Sequence, residues 1–240
     1  MERKKYISLL ISLFITLSCL ANSNQEKVYL AYVNNTMSEW KKIIDTMEKT
    51  SLTNNQTRLE LLNYQYGYIA WCLGQKKHDE ATIYLRRAEK HIDALDNKKY
   101  KPADLHAYKA AFYGYKIAIT PFKASYLGPK SIWHVKKALE IEPENMFALL
   151  QYGNIYYYMP VTFGGSKETA SQYYLKVEKW YEKHPQQRIT NWNYINVLVT
   201  LTNTYIALGK KDKATEYYNK IVTAEPTSSW IKQEIYPQLK

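Results

Sequence analysis

The sequence predicts an all-α fold, an array of antiparallel helix pairs forming an α-solenoid. Three observations carry this. Past residue 55 the apolar residues recur at helical spacing almost to the end of the chain. Glycine and proline number only 8 each in 240 residues, which leaves few breakers for a strand-rich fold. The helical pattern also repeats, with the same order of large, small and stopping residues in four stretches. At 46% hydrophobic the chain can build a sizeable core, and no interdomain linker interrupts it.

The first residues read as a leader. Arg3, Lys4 and Lys5 precede the apolar run "YISLLISLFITLSCLA", which predicts a secretory signal over residues 1–21 and one helical-repeat domain over 22–240. Cys19 leaves two outcomes open. It departs with the signal, or "TLSC" acts as a lipoprotein box and Cys19 becomes the lipidated first residue. The box usually has leucine where Thr16 stands. In either case Cys72 has no partner for an intramolecular disulfide. Set in "YIAWCLG", it reads as a small buried hydrophobe.

Next comes "MSEWKKIIDTMEK", residues 37–49. Met37, Trp40, Ile43, Ile44 and Met47 share one face, which predicts an N-terminal capping helix. Four units follow, at approximately 56–96, 103–141, 146–184 and 189–225, and a C-terminal capping helix at 228–237 ends at Pro237. The clearest unit is the last. Leu198, Leu201 and Tyr205 lie on a first helix, Gly209 ends it, Ala214 sits early in a second, Tyr218 and Ile221 continue the stripe, and Pro226 stops it. The three earlier units each place an aromatic directly before a glycine: Tyr66-Gly67, Tyr113-Gly114 and Tyr152-Gly153. Glycine within a helix costs about 1 kcal/mol relative to alanine. Its recurrence predicts close helix–helix approach at these points, with Thr202 in the matching place of the last unit.

This order of large, small and proline positions resembles the tetratricopeptide repeat, which implies a right-handed superhelix of about four such pairs. From the small position to the second helix's core residue (Ala88, Ala138, Val177, Ile221) is 21, 24, 24 and 19 residues, so the turns of the middle units are lengthened. Those two units align at an offset of 39, pairing Pro121 with Pro160. "FGGSK" then falls in the slot of "YLGPK", where Pro129 suits the first position of a helix. Pro160, Phe163, Gly164, Gly165 and Ser166 read as a structural loop, Ser166 capping the next helix. A helix start of this kind can also hold an anion, which is the alternative.

"YGNIYYYMPVTFGGSKETA" further resembles the tetratricopeptide proteins related to the T component of periplasmic TRAP-type transporters. The resemblance implies an exported protein that assists a solute-binding protein.

The chemistry of a reaction is not visible. The five histidines are scattered and form no metal-binding spacing, and no nucleophile elbow or paired carboxylates stand out. The expectation is a non-enzyme with no cofactor and no metal. The balance is basic, 33 Lys+Arg against 22 Asp+Glu for a net +11, but only five of these are arginine. Together with export, that argues against nucleic acid.

The repeat resemblance implies that the first helix of each pair lines a concave face. It assigns Tyr64, Tyr68, Trp71, Tyr108, Tyr115, Asn154, Tyr157, Tyr158, Asn196 and Asn203 to a ligand groove. Tyrosine, apolar with one hydroxyl, suits a protein or peptide partner, such as a periplasmic solute-binding protein, or a small amphipathic ligand. The expected function is an exported binding scaffold in the periplasm or cell envelope. The alternative is a structural or assembly protein of the envelope, held to the membrane only by a lipid anchor at Cys19.

Overall fold

The computed structural model describes residues 23–50, 52 and 54–239. The signal segment and Cys19 lie outside them. Among the described residues there are eleven α-helices and no strand. They are α1 (Asn24–Val33), α2 (Met37–Lys49), α3 (Asn55–Gly74), α4 (His78–Asp96), α5 (Pro102–Ile119), α6 (Ala124–Ile141), α7 (Met146–Tyr158), α8 (Lys167–Lys183), α9 (Trp192–Ala207), α10 (Lys211–Ala224) and α11 (Ser229–Glu234). None is long and apolar enough to cross a membrane.

Local chemistry sets the starts. The side chains of Asn54, Asn145 and Asn191 accept the amides of Gln56, Ala148 and Asn193, capping α3, α7 and α9. Pro102 opens α5, where a missing amide costs nothing. Each first helix then packs on the second helix of its pair: α3 on α4, α5 on α6, α7 on α8 and α9 on α10.

The structure adds a pair. α2 is the second helix of a unit begun by α1. It stacks on α4 as α8 stacks on α10. Tyr84 donates to Asp45 and Tyr217 to Glu178, each across 39 residues, and Arg87 adds ion pairs to Asp45 and Glu48 where Lys220 adds one to Glu178. α1 went unpredicted because its ten residues bury only Val28, Ala31 and Val33 and carry little periodicity.

α1 also reaches the far end of the array. Its Tyr32 hydroxyl donates to Asn196 on α9 at 3.3 Å, and its last carbonyls accept from the Trp230 indole (3.0 Å) and the Ser228 hydroxyl (2.8 Å). Trp40 of α2 packs edge-on against Trp192 of α9, ring centres 5.0 Å apart. First and last units therefore touch, and the inner face is filled rather than open. Tyr66 lies at its centre, stacked on Tyr115 (5.6 Å) and meeting Phe147 (5.0 Å), Tyr108 (6.2 Å) and Trp192 (6.3 Å). Its hydroxyl accepts from Gln151, and the Tyr115 hydroxyl donates to its carbonyl.

The three glycines differ. A Cβ on Gly153 would meet the Tyr174 ring at 2.5 Å, so this one marks the close approach of a helix pair. A Cβ on Gly67 would meet Trp40 and Trp192, both at 2.7 Å, so this one makes room for the closure instead. Gly114 faces open space, which corrects the expectation there. In that unit the close approach lies one turn earlier, where Ser131 donates to the Ala110 carbonyl at 2.8 Å. Pro129 is also corrected. It sits inside α6, not at its start, so "YLGPK" is helical while "FGGSK" is a true turn.

Two alanine substitutions separate these roles. Gly114→Ala should stabilise the protein by up to about 1 kcal/mol through helix propensity alone. Gly67→Ala should lower stability by about 1–3 kcal/mol, because two indoles must move. Urea unfolding measures both.

Candidate functional site

The residues assigned to the inner groove do not share one surface. Tyr64, Tyr68 and Tyr108 are buried. Tyr64 donates to Glu60, and Tyr68 lies between Trp71 and Tyr84 and donates to Glu80. Trp71 is half-buried with the Lys77 ammonium 4.4 Å over its ring. Tyr115 belongs to the Tyr66 cluster. Asn154 joins Gln151 to the Tyr174 hydroxyl, Asn196 holds α1, and the Asn203 side-chain oxygen is buried without a partner. An open groove over the first two units is thus replaced by packed core. Of the assigned tyrosines Tyr158 is the most exposed and Tyr157 is half-buried, as Trp71 is; burial and the neighbouring Tyr157 and Tyr66 push the Tyr158 hydroxyl up, which sets that end of the ring beside the inner cluster. Cys72 is buried, and that burial pushes its thiol up to about 11, away from any reactive form.

Exposed apolar surface collects at the two turns that contain Pro121 and Pro160. They join α5 to α6 and α7 to α8, successive pairs that pack together, so both turns lie on one edge of the array. Each is a short 3₁₀ segment, Pro121–Lys123 and Val161–Phe163. Phe122 is 82% exposed, Val161 84%, Phe163 77%, Tyr158 79% and Tyr126 63%. Large apolar side chains exposed at both turns make them the candidate interaction surface.

The second turn is held from within. The amides of Phe163 and Gly165 donate to the Pro160 carbonyl, that of Gly164 to Val161, and that of Ser166 to Tyr156. Ser166 accepts the Thr169 amide and caps α8. Gly164 takes the left-handed conformation, φ 95°, that glycine tolerates. Gly165 does not, but a Cβ there would collide with the Met159 carbonyl. These loop amides are spent on the loop itself, and Glu168 already occupies the first turn of α8. The arrangement gives a phosphate little to bind and holds Val161 and Phe163 outward.

The charge of this edge is mainly positive, with Glu168 as its one nearby carboxylate in sequence. No Asp or Glu occurs between residues 105 and 139 or between 145 and 167. Lys130 lies 3.9 Å over the Tyr126 ring and donates to its hydroxyl, and Lys167 lies 5.8 Å from the Tyr157 ring. Lys123 is exposed and makes no ion pair. The reading of the sequence placed Phe163 in a structural loop and passed over Phe122, Tyr126 and Val161. The signal available was the pair of prolines each followed by apolar residues within otherwise helical units.

Away from this edge, His106 on α5 and His134 on α6 share a hydrogen bond, Nδ1 to Nδ1 at 2.8 Å, beneath the edge of Trp133. Among the described residues no group of three or more His, Cys, Asp or Glu is arranged to hold a metal.

No family model matches the chain, and no curated protein matches it. Among solved structures it is similar to the HusA haemophore from Porphyromonas gingivalis, with TM-score 0.58 and 16% identity over 74% of this chain and 90% of that one. At that identity the likeness shows a shared all-helical fold. These findings do not confirm the finer resemblance to T components of TRAP-type transporters.

The histidine pair gives a pH prediction. Burial, then the neighbouring His106, pull the His134 imidazole down to about 4. The folded state favours neutral His134, so the unfolded chain binds more protons between about 6.5 and 4. Stability should be full above about 6.5 and decline as pH falls toward 4. Urea midpoints at pH 7 and pH 5 should differ more in the wild type than in His134→Phe.

Proposed function

We propose that the protein is an exported, non-enzymatic helical-repeat scaffold that captures a planar, amphipathic, anionic ligand of the haem kind on its twin aromatic turns. One observation carries this reading: Phe122, Tyr126, Val161 and Phe163 stand exposed at the two turns, with Lys123, Lys130 and Lys167 beside them and Glu168 the one carboxylate close by in sequence. A porphyrin ring offers two flat apolar faces, and its two carboxylates require cations. Rings that stack edge- or face-on supply the first requirement. Lys123, Lys130 and Lys167 supply the second. The haemophore likeness supports the ligand class. The filled inner face moves the binding surface outward from the groove that a tetratricopeptide array ordinarily presents, and export to the periplasm or envelope puts the scaffold where free haem or similar solutes must be collected.

The test is absorbance titration with haemin and with metal-free protoporphyrin. Both should bind with a shifted Soret band. Burying one aromatic ring contributes about 1.5–3 kcal/mol, so Phe122→Ala and Phe163→Ala should each weaken binding by roughly ten- to a hundredfold. Both side chains are exposed, so melting should stay within about 0.5 kcal/mol of wild type. Absence of a Soret shift, or unchanged affinity in the double variant, contradicts the reading.

A further inference from the structure

A second feature starts at Phe122 and runs away from the ligand edge. Phe122, Tyr126, Lys130, Trp133 and Lys137 fall at steps of 4, 4, 3 and 4 residues, which puts them on one outer stripe of the first turn and α6. At 1.5 Å per residue the stripe is about 22 Å long. Trp133 is exposed although it is an indole, and its edge rests on His106 and His134. Beside the stripe, Lys123 and Lys136 are exposed and make no ion pair; Lys137 is paired only with Glu140, at 2.9 Å. Nothing anionic precedes Glu140 on either α5 or α6 back to Asp104.

We propose that this stripe docks the protein on an anionic lipid bilayer, with α6 lying in the plane of the headgroups. Alternating aromatic and lysine residues suit that interface. Indole and phenol settle at headgroup level, while lysine stems run along apolar surface and carry their ammonium to phosphate. Phe122, at the end, is free to enter the acyl boundary. The carboxylates nearest the stripe, Asp96 and Glu140, are paired with Lys109 and Lys137, so Lys123, Lys130 and Lys136 leave a net positive field that attracts an anionic surface. A nucleic acid would be served by arginine, and the stripe has none. A helix of this character lies on a membrane and does not span it.

Trp133 and Lys137 are outside the ligand edge, which lets the two ideas fail separately. The experiment is sedimentation of the purified protein with vesicles of phosphatidylcholine alone and of phosphatidylcholine with 30–40% phosphatidylglycerol (roughly a third anionic, as the charge argument requires). Binding should appear with the anionic vesicles only, weaken at high salt, and blue-shift the tryptophan emission. Each of Lys130→Gln and Lys136→Gln should lower the partition about fivefold. Trp133→Phe should keep the haemin titration unchanged, keep vesicle binding within a few-fold, and abolish most of the blue shift. Trp133→Glu should abolish vesicle binding. Equal binding to neutral vesicles, no binding to either, or full binding by Trp133→Glu overturns the proposal. So does equally tight capture of heparin without any emission shift, which would make the stripe a general polyanion site. Vesicle binding without a haemin Soret shift would sink the ligand reading and leave this one standing.

Discussion

The structure depends on the contact of Trp40, Tyr66 and Trp192 over Gly67. Three helices from the first, second and last units meet there, and only a residue without Cβ leaves room for two indoles. Closing the array end to end buries the aromatic face that an open array would present to a ligand. Tyr66, Tyr108, Tyr115 and Phe147 then become one cluster, with Gln151 and the Tyr66 hydroxyl satisfying each other inside it. Large aromatic rings packed edge-on in a filled space dominate core energetics, so the inner face carries stability.

With the inner face filled, the proposed ligand would meet the protein at the edge. The two turns differ in length: α6 begins at Ala124, so only 120–123 join it to α5, whereas 159–166 join α7 to α8. The glycine pair and Ser166 tie the second turn down through its own amides, which makes it a rigid platform. Rigidity lowers the cost of ordering on binding. The exposed rings are thus arranged before any ligand arrives, and the charge around them is mainly positive.

Much of the fold was legible. Helical spacing and the few breakers announced an all-α fold of helices packed in neighbouring pairs, because local propensity and burial agree there. A separation of 39 residues also joins Tyr84 to Asp45 and Tyr217 to Glu178, between units other than the two aligned in the sequence, whose glycines and turns differ in the structure. Two things were not legible. α1 has too few buried residues to show a period, and it is held by Asn196, Trp230 and Ser228, 164 to 198 residues away in sequence. The closure itself depends on contacts between chain ends, which no local pattern encodes. A groove drawn from the repeat's register therefore named Tyr64, Tyr68 and Tyr108, which are core, and it treated Gly114 as a packing glycine although it faces solvent. Of the assigned residues, Tyr157 and Tyr158 alone border the exposed edge.

The central claim is that the inner face is closed and that ligand meets the protein at the two turns. Hydrogen–deuterium exchange with and without haemin tests it most directly, since amide protection reports position along the chain. The account predicts added protection confined to the segments around residues 119–130 and 158–169, with 61–72 already slow and unchanged. Ligand-dependent protection at 61–72 and 105–112, with none at the turns, would contradict it and return the binding site to the inner face.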